Sequence, residues 1–160
     1  MPKADEPARK PDDFVLVEPR TPQDWESYFD LRWRVLREPW RLPHGSESDD
    51  FDVESFHLLV RDSIGTAVAV GRLHLNSPSE THVRYMAVDE TCRGRGLGSR
   101  ILAGLEDQAR SRGVTGIVLN PRENAVNFYR GHGYEVEGPA DILFGQVCHF
   151  RMRKLLTTSR

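Results

Sequence analysis

Nine residues, CRGRGLGSR from Cys92 to Arg100, hold three glycines and three arginines. They follow an apolar run, VRYMAV, and lead into LGSRILAGLEDQAR, where apolar residues recur at helical spacing. A helix start carries amide N–H groups without intrahelical acceptors and the positive end of the helix dipole, so it attracts anions. Gly94, Gly96 and Gly98 remove the side chains that would hold a bulky phosphate off the backbone. Arg93, Arg95 and Arg100 add charge able to pair with phosphate oxygens. The chemistry this combination suits is the grip on a phosphate-bearing cofactor. The plainer reading is a glycine-rich turn with solvated arginines.

Two familiar nucleotide loops do not fit. A P-loop needs GxxxxGK[ST], and the residue before Ser99 is Gly98 rather than lysine. A dinucleotide turn wants GxGxxG, but after Gly94 and Gly96 the third position is Ser99. The next strand, TGIVLN, ends in Asn120 rather than an acid that could hold a ribose.

What remains is R-x-x-G-x-G, carried by Arg93, Gly96 and Gly98, between a strand ending MAVDE and a helix. It resembles the pyrophosphate loop of the GCN5-related N-acetyltransferase (GNAT) family. Downstream, AVNFYRGHGYEV resembles that family's A-x-x-F/L-Y-x-x-x-G-F/Y segment, with Ala125, Phe128, Tyr129, Gly133 and Tyr134 in the matching places. The likeness covers roughly residues 14 to 154. A narrower similarity, in LRWRVLREPW, GSESDD, VGRLHLN, RYMAV and HFRM, is to the acetyltransferase half of bacterial acetyltransferase–thioesterase fusion proteins.

The resemblance implies an α/β (α+β) fold, a mixed and mainly antiparallel sheet of six to seven strands flanked by about four helices. It implies acetyl-CoA as cosubstrate, no metal, and direct transfer to a primary amine within a ternary complex. By resemblance, the backbone of Met86, Ala87 and Val88 pairs with pantetheine, and the Val88 N–H faces the thioester carbonyl. Arg93 and the amides of Gly94, Arg95, Gly96, Leu97, Gly98 and Ser99 hold the pyrophosphate. Tyr129 is the candidate acid for the departing thiolate, although a Phe-Tyr pair on an amphipathic helix is also ordinary core. Many members place a pantetheine-contacting asparagine seven residues before that tyrosine. Here the position is Arg122, and Asn124 is the neighbour chosen for the contact.

The chemistry sets further needs. An alkyl amine with a pKa near 10.4 is only about one part in a thousand neutral at pH 7, so attack requires deprotonation. The resemblance places the connection and the central strands beside the acceptor, which makes Glu47, Asp49, His57, His74 and His82 candidate bases. Each reads more simply as a surface or packing residue, none is assigned the role, and a water chain is the alternative. An alternative function is a catalytically silent acetyl-CoA-binding sensor or regulatory module; a different acyl donor such as succinyl-CoA is a third reading.

Stepping outward from these residues, FVLVEP reads as a strand, and TPQDWESYFDLRWRVLREPW as a helix capped by Thr21 with Pro22 in its first turn. SFHLLVRDSIGTAVAVGRLHLN reads as two strands around a turn at Asp62 to Gly65. THVRYMAVDE is a third. A helix from Gly96 to about Gly113 follows, with Gly104 marking close packing. TGIVLN is a buried strand, Pro121 to Arg130 a second short helix, and two strands close the chain. One domain is expected over residues 14–155, with polar tails at 1–13 and 156–160; the first of these, MPKADEPARKPDD, reads as disordered.

A net charge of -2 gives no reason for general affinity to nucleic acid or anionic membrane. Cys92 and Cys148 lack a metal or redox spacing, which suits a reducing, cytoplasmic setting. No HExxH or paired Cys/His spacing indicates a metal site. The expected partner is the amine acceptor, with a homodimer left open; Trp25, Trp33 and Trp40 suit a core-facing or interface helix better than a base-stacking platform, since no basic groove accompanies them. SESDDFDVES gathers five acids between Glu47 and Glu54, read either as a solvated loop or as an acceptor entrance that favours cations.

Overall fold

The computed structural model describes residues 13–143 and 147–156. Most of the two expected tails, including residues 1–12 for which disorder is expected from composition, lies outside the described residues. In chain order the elements are β1 (Val15–Val17), α1 (Pro22–Leu36), β2 (Phe56–Arg61), β3 (Ala67–Ser77), β4 (Glu80–Val88), α2 (Leu97–Ser111), β5 (Gly116–Leu119), α3 (Val126–Arg130), β6 (Glu135–Leu143) and β7 (Val147–Leu155). The seven strands form one sheet in the order β1-β2-β3-β4-β5-β7-β6. Every neighbouring pair is antiparallel except β4 and β5. Among the described residues there are three α-helices, in keeping with the expected fold, with short 3-10 turns between elements.

Local chemistry explains most boundaries. Thr21 and Asp24 form a reciprocal capping box at α1, and Pro22 occupies its first turn. The β2–β3 turn is set by the Asp62 carboxylate, which accepts N–H bonds from Ile64 at 3.1 Å and Thr66 at 2.9 Å. Gly104 of α2 sits where an added Cβ would lie 2.6 Å from Leu58 Cδ1, so its absence lets the helix lie close on β2.

The helix expected from Pro121 begins only at Val126, after a 3-10 turn at Glu123–Ala125. The reason is tertiary. The Pro121 carbonyl accepts the Phe150 N–H at 3.0 Å, and Arg122 forms an antiparallel bridge with His149, so this segment stays extended along β7.

The sheet divides two cores. On one face α2 and α3 pack Leu97, Ile101, Leu105, Val126 and Tyr129 against Leu58, Val60, Ala69 and Leu73. On the other, α1 packs Tyr28 and Leu31 against Leu59, Val70 and Ala87.

Candidate active site

Two departures from regular sheet structure build the site. The first is in the parallel pair. β4 and β5 are in register only over Glu80–Val83 and Gly116–Leu119. Beyond Leu119 the chain stays bonded to β7 alone, so Arg84–Val88 keep a ladder with β3 only and their other backbone edge faces the gap where β4 and β5 part. The second is a bulge in β4. Val70 pairs with Ala87 and Arg72 with Arg84, so Gly71 faces both Tyr85 and Met86. Tyr85 takes a φ of 57°, unusual for a residue with a side chain. Gly71 is required opposite it, since a Cβ there would meet Ile101 Cγ2 at 2.5 Å and Met86 Sδ at 2.7 Å.

The glycine turn lies at the end of β4. Gly94 and Gly96 have φ of 79° and 74°, and an added Cβ at either meets nothing within 4 Å. Gly96 caps α2 without any side-chain bond. The first helical bond runs from Arg100 N–H to Gly96 O at 3.1 Å, so the amides of Leu97, Gly98 and Ser99 precede the intrahelical ladder. These open glycines, the bare helix start and the one-sided edge of β4 fit an extended ligand ending in phosphates.

Other residues of the motif have different work. Leu97 is buried in the core, so its backbone alone faces the turn. Gly98 lies between β4 and α3, where a Cβ would sit 3.5 Å from Phe128 Cζ and 3.6 Å from Val88 Cγ2. Ser99 Oγ bonds the His132 ring at Nε2, 3.0 Å away. Arg93 and Arg95 are exposed, but Arg100 donates to Phe14 O at 3.0 Å and ties α2 to the start of β1. Cys92 is buried, which removes it from loop chemistry.

Tyr129 packs edge-on against Phe128, with centroids 5.0 Å apart, and against Tyr134 at 5.8 Å. Burial raises its pKa above the ordinary phenol value, so the hydroxyl stays protonated at neutral pH. Met86 and Val88 pack against the same core as Tyr129. Asn124 is exposed in the 3-10 turn before α3.

The α1 face of the gap is polar. Arg32, wholly buried, donates to Asp52 Oδ1 at 2.9 Å, to Tyr28 Oη at 2.7 Å and to the Glu47 carbonyl at 3.2 Å. Arg72, also buried, pairs with Asp49 and with Asp52 at 3.0 Å. The Tyr85 ring lies among the guanidinium carbons of Arg32 at 4.2 Å, Arg72 at 4.8 Å and Arg84 at 5.0 Å, and its hydroxyl donates to Asp49 at 3.3 Å. Two acids of the segment read as a solvated loop or cation entrance are therefore held by buried arginines.

The five candidate bases are dispersed and mostly engaged. Glu47 accepts the Gly45 N–H at 2.6 Å, and Asp49 is held by Arg72 and Arg84. His57 accepts from Tyr28 Oη at 2.7 Å through Nδ1 and donates from Nε2 to Asp52 O at 2.8 Å. Burial keeps that imidazole below its usual pKa. His74 and His82 stack with centroids 5.4 Å apart, and His82 is in register with Val118, within the zipped part of the sheet. Burial holds His82 down to about 4. The arginine–aspartate network was missed by sequence reasoning, because partners 20 or more residues apart leave no local signature.

Two surface clefts flank β1 and β2, lined in part by Leu16, Phe56 and Trp25; neither includes the glycine turn or Arg84–Val88. Among the described residues, no helix is long and apolar enough to cross a membrane. No group of three or more His, Cys, Asp or Glu side chains is placed among them to hold a metal ion.

Comparison with known proteins shows the family and the fold. Residues 25–134 match the model of the acetyltransferase (GNAT) family. An uncharacterized N-acetyltransferase, YjcF of Bacillus subtilis, is 30% identical over 126 residues, covering 79% of this chain and 89% of the relative. A Lactobacillus plantarum protein described as an N-acetyltransferase superposes with a TM-score of 0.79 at 22% identity, covering 90% of this chain and 99% of that one. An aminoglycoside 6'-N-acetyltransferase solved with coenzyme A superposes at 0.75 with 17% identity, covering 88% and 96%. With an open seam between its parallel strands and a glycine turn at the mouth, the chain belongs to the GNAT family of acetyltransferases.

Proposed function

We propose that the protein moves an acetyl group from acetyl-CoA to a primary amine, on a small molecule or a peptide, by direct attack in a ternary complex. The observation that carries this reading is the one-sided ladder of Arg84–Val88 beside an uncapped helix start. A pantetheine arm has the amides to run along Met86, Ala87 and Val88 as a substitute strand, while the amides from Gly94 to Ser99 and the charge of Arg93 and Arg95 take the diphosphate. Bound acetyl-CoA supplies an activated thioester.

The chain's own groups do the rest. The Val88 N–H donates to the carbonyl oxygen on which negative charge develops. Tyr129, kept protonated by burial, is the donor for the departing thiolate. Asn124 is assigned the remaining pantetheine contact. The amine's proton leaves through solvent, since Glu47, Asp49 and His57 are engaged elsewhere. The fusion-protein likeness adds no acceptor. A cytoplasmic setting suits two cysteines that form no disulfide.

Calorimetry with coenzyme A, followed by thiol release over an amine panel, tests the proposal. Saturable binding and acceptor-dependent thiol are expected, and Tyr129→Phe should lower kcat roughly 100-fold with little change in the acetyl-CoA KM. Full turnover in that variant removes Tyr129 from the mechanism. Binding without acceptor-dependent thiol favours a silent CoA-binding module, and absence of binding overturns the reading.

A further inference from the structure

Among the described residues of β4, Tyr85 alone takes a left-handed backbone, and it decides which way the strand faces beyond it. In a regular strand successive side chains alternate between the two faces. Arg84 and Tyr85 instead both reach Asp49 on the α1 side, at 3.5 and 3.3 Å. After them Met86 packs on the α2-face core, Ala87 in the α1-face core and Val88 on the α2-face core again. Two neighbours on one side have reset the alternation by one position.

The same reset fixes the backbone edge. The Asp89 N–H donates to Val68 O at 2.8 Å, toward β3. Alternation within the strand then turns the Val88 N–H to the opposite edge, the one that faces the gap. Without the extra residue opposite Gly71 the parity would be reversed, and the Val88 N–H would point at β3.

A left-handed backbone is not what a tyrosine adopts by itself, so something must hold it. The holding groups come from α1 and β3. The guanidinium carbons of Arg32 and Arg72 lie 4.2 and 4.8 Å from the centre of the Tyr85 ring. Both side chains are wholly buried, and their Nε atoms have no hydrogen-bond partner among the described residues. The ring is the electron-rich surface within reach of both cations. Asp52 ties the two guanidiniums together, 2.9 Å from Arg32 and 3.0 Å from Arg72, so neither is free to leave the ring.

We infer that Tyr85 is a positioning residue for acyl transfer: its ring, clamped by Arg32 and Arg72, holds the register that aims the Val88 N–H into the gap. The inference rests on the acetyl-transfer reading above, in which that N–H meets the developing charge, and adds the side chains that aim it. Tyr85 acts through the backbone of β4 and touches no substrate.

Three substitutions separate ring from backbone. Tyr85→Phe keeps the ring and loses the Asp49 bond. Tyr85→Gly takes the left-handed backbone freely but has no ring, and Tyr85→Val has no ring and opposes that backbone. The readouts are amide hydrogen exchange of the ligand-free protein by NMR, and steady-state thiol release with an amine the unaltered protein accepts. In unaltered protein the Val88 N–H should exchange at least about tenfold faster than those of Ala87 and Asp89. Tyr85→Phe should keep that contrast and a kcat within about threefold. Tyr85→Gly should lower kcat about tenfold and Tyr85→Val about a hundredfold, with the exchange contrast shrinking in step and the amine KM within about threefold. Melting curves show which variants are folded; Tyr85→Gly, free of backbone strain, carries the test if Tyr85→Val is not. The inference is overturned if a folded variant without the ring keeps its kcat, or loses kcat with the exchange contrast intact. A raised amine KM at unchanged kcat also overturns it, since that would set the ring against the acceptor. If unaltered protein releases no thiol with any amine, the acetyl-transfer reading falls, and an undiminished exchange contrast in Tyr85→Gly separately overturns the role of the ring.

Discussion

The two faces of the sheet meet at the same gap but are built from opposite materials. The α2 face works by removing atoms: Gly71, Gly94, Gly96 and Gly104 clear space for a ligand or a neighbouring helix, and the groups offered to a ligand are backbone amides. The α1 face works by adding charge: Arg32 and Arg72, wholly buried, hold Asp49 and Asp52 and enclose Tyr85. Backbone amides serve a ligand part common to every reaction cycle, because they need no side-chain identity. Guanidinium and carboxylate groups are particular in geometry and charge, which suits them to fixing a loop.

Three experiments sharpen or break this contrast. Arg72→Ala should cost the most, about 3 kcal/mol in denaturant unfolding, because it strips a buried partner from Asp49 and Asp52. Asp52 still has Arg32 and Asp49 still has Arg84, which keeps the loss at that level. A loss below about 1 kcal/mol would mean the charged face is not held by this network. On the other face the opposite operation is the damaging one. Gly71→Ala adds a methyl against Ile101 and Met86 and should cost about 2 kcal/mol. An unchanged midpoint would show that the bulge shifts freely to make room.

The third effect is in pH, and it is the smallest of the three near neutrality. His82, held near 4 by burial, binds its proton more weakly folded than in the unfolded chain, where its value is 6.5. Its contribution is complete above about 6.5 and declines as pH falls toward 4, by at most about 1.4 kcal/mol per pH unit. Burial also holds His57 and His74 low, in the same direction. Urea midpoints from pH 8 to 4.5 should fall only below about 6.5, and His82→Asn should flatten the slope. A midpoint that rises with acid would contradict it.

What could be read in advance was local chemistry. Thr21, Pro22 and Asp24 write a helix start within four residues, and Asp62 with Gly65 writes a turn. The Arg93–Gly98 turn stands out because backbone freedom and charge coincide there. Features that depend on contacts across the fold were illegible. Nothing about Tyr85 in sequence signals a left-handed backbone, which follows from the extra residue opposite Gly71. Helical spacing from Pro121 misleads because β7 captures Pro121 and Arg122 first. Arg122 reads as a lost asparagine in the motif; its place next to Arg37 and Leu36 comes from α1, which lies more than eighty residues earlier.

The four residue pairs that join β4 to β5, and the absence of pairing beyond them, set a gauge for anything that enters. Neighbouring strands in a sheet stand about 4.8 Å apart, so a seam that parts gradually from that spacing admits a guest one chain wide. A slender arm that borrowed the free edge of β4 would lie there as one more strand, its tip toward the crotch where β4 and β5 join. Width would then screen a guest before any side chain had been consulted.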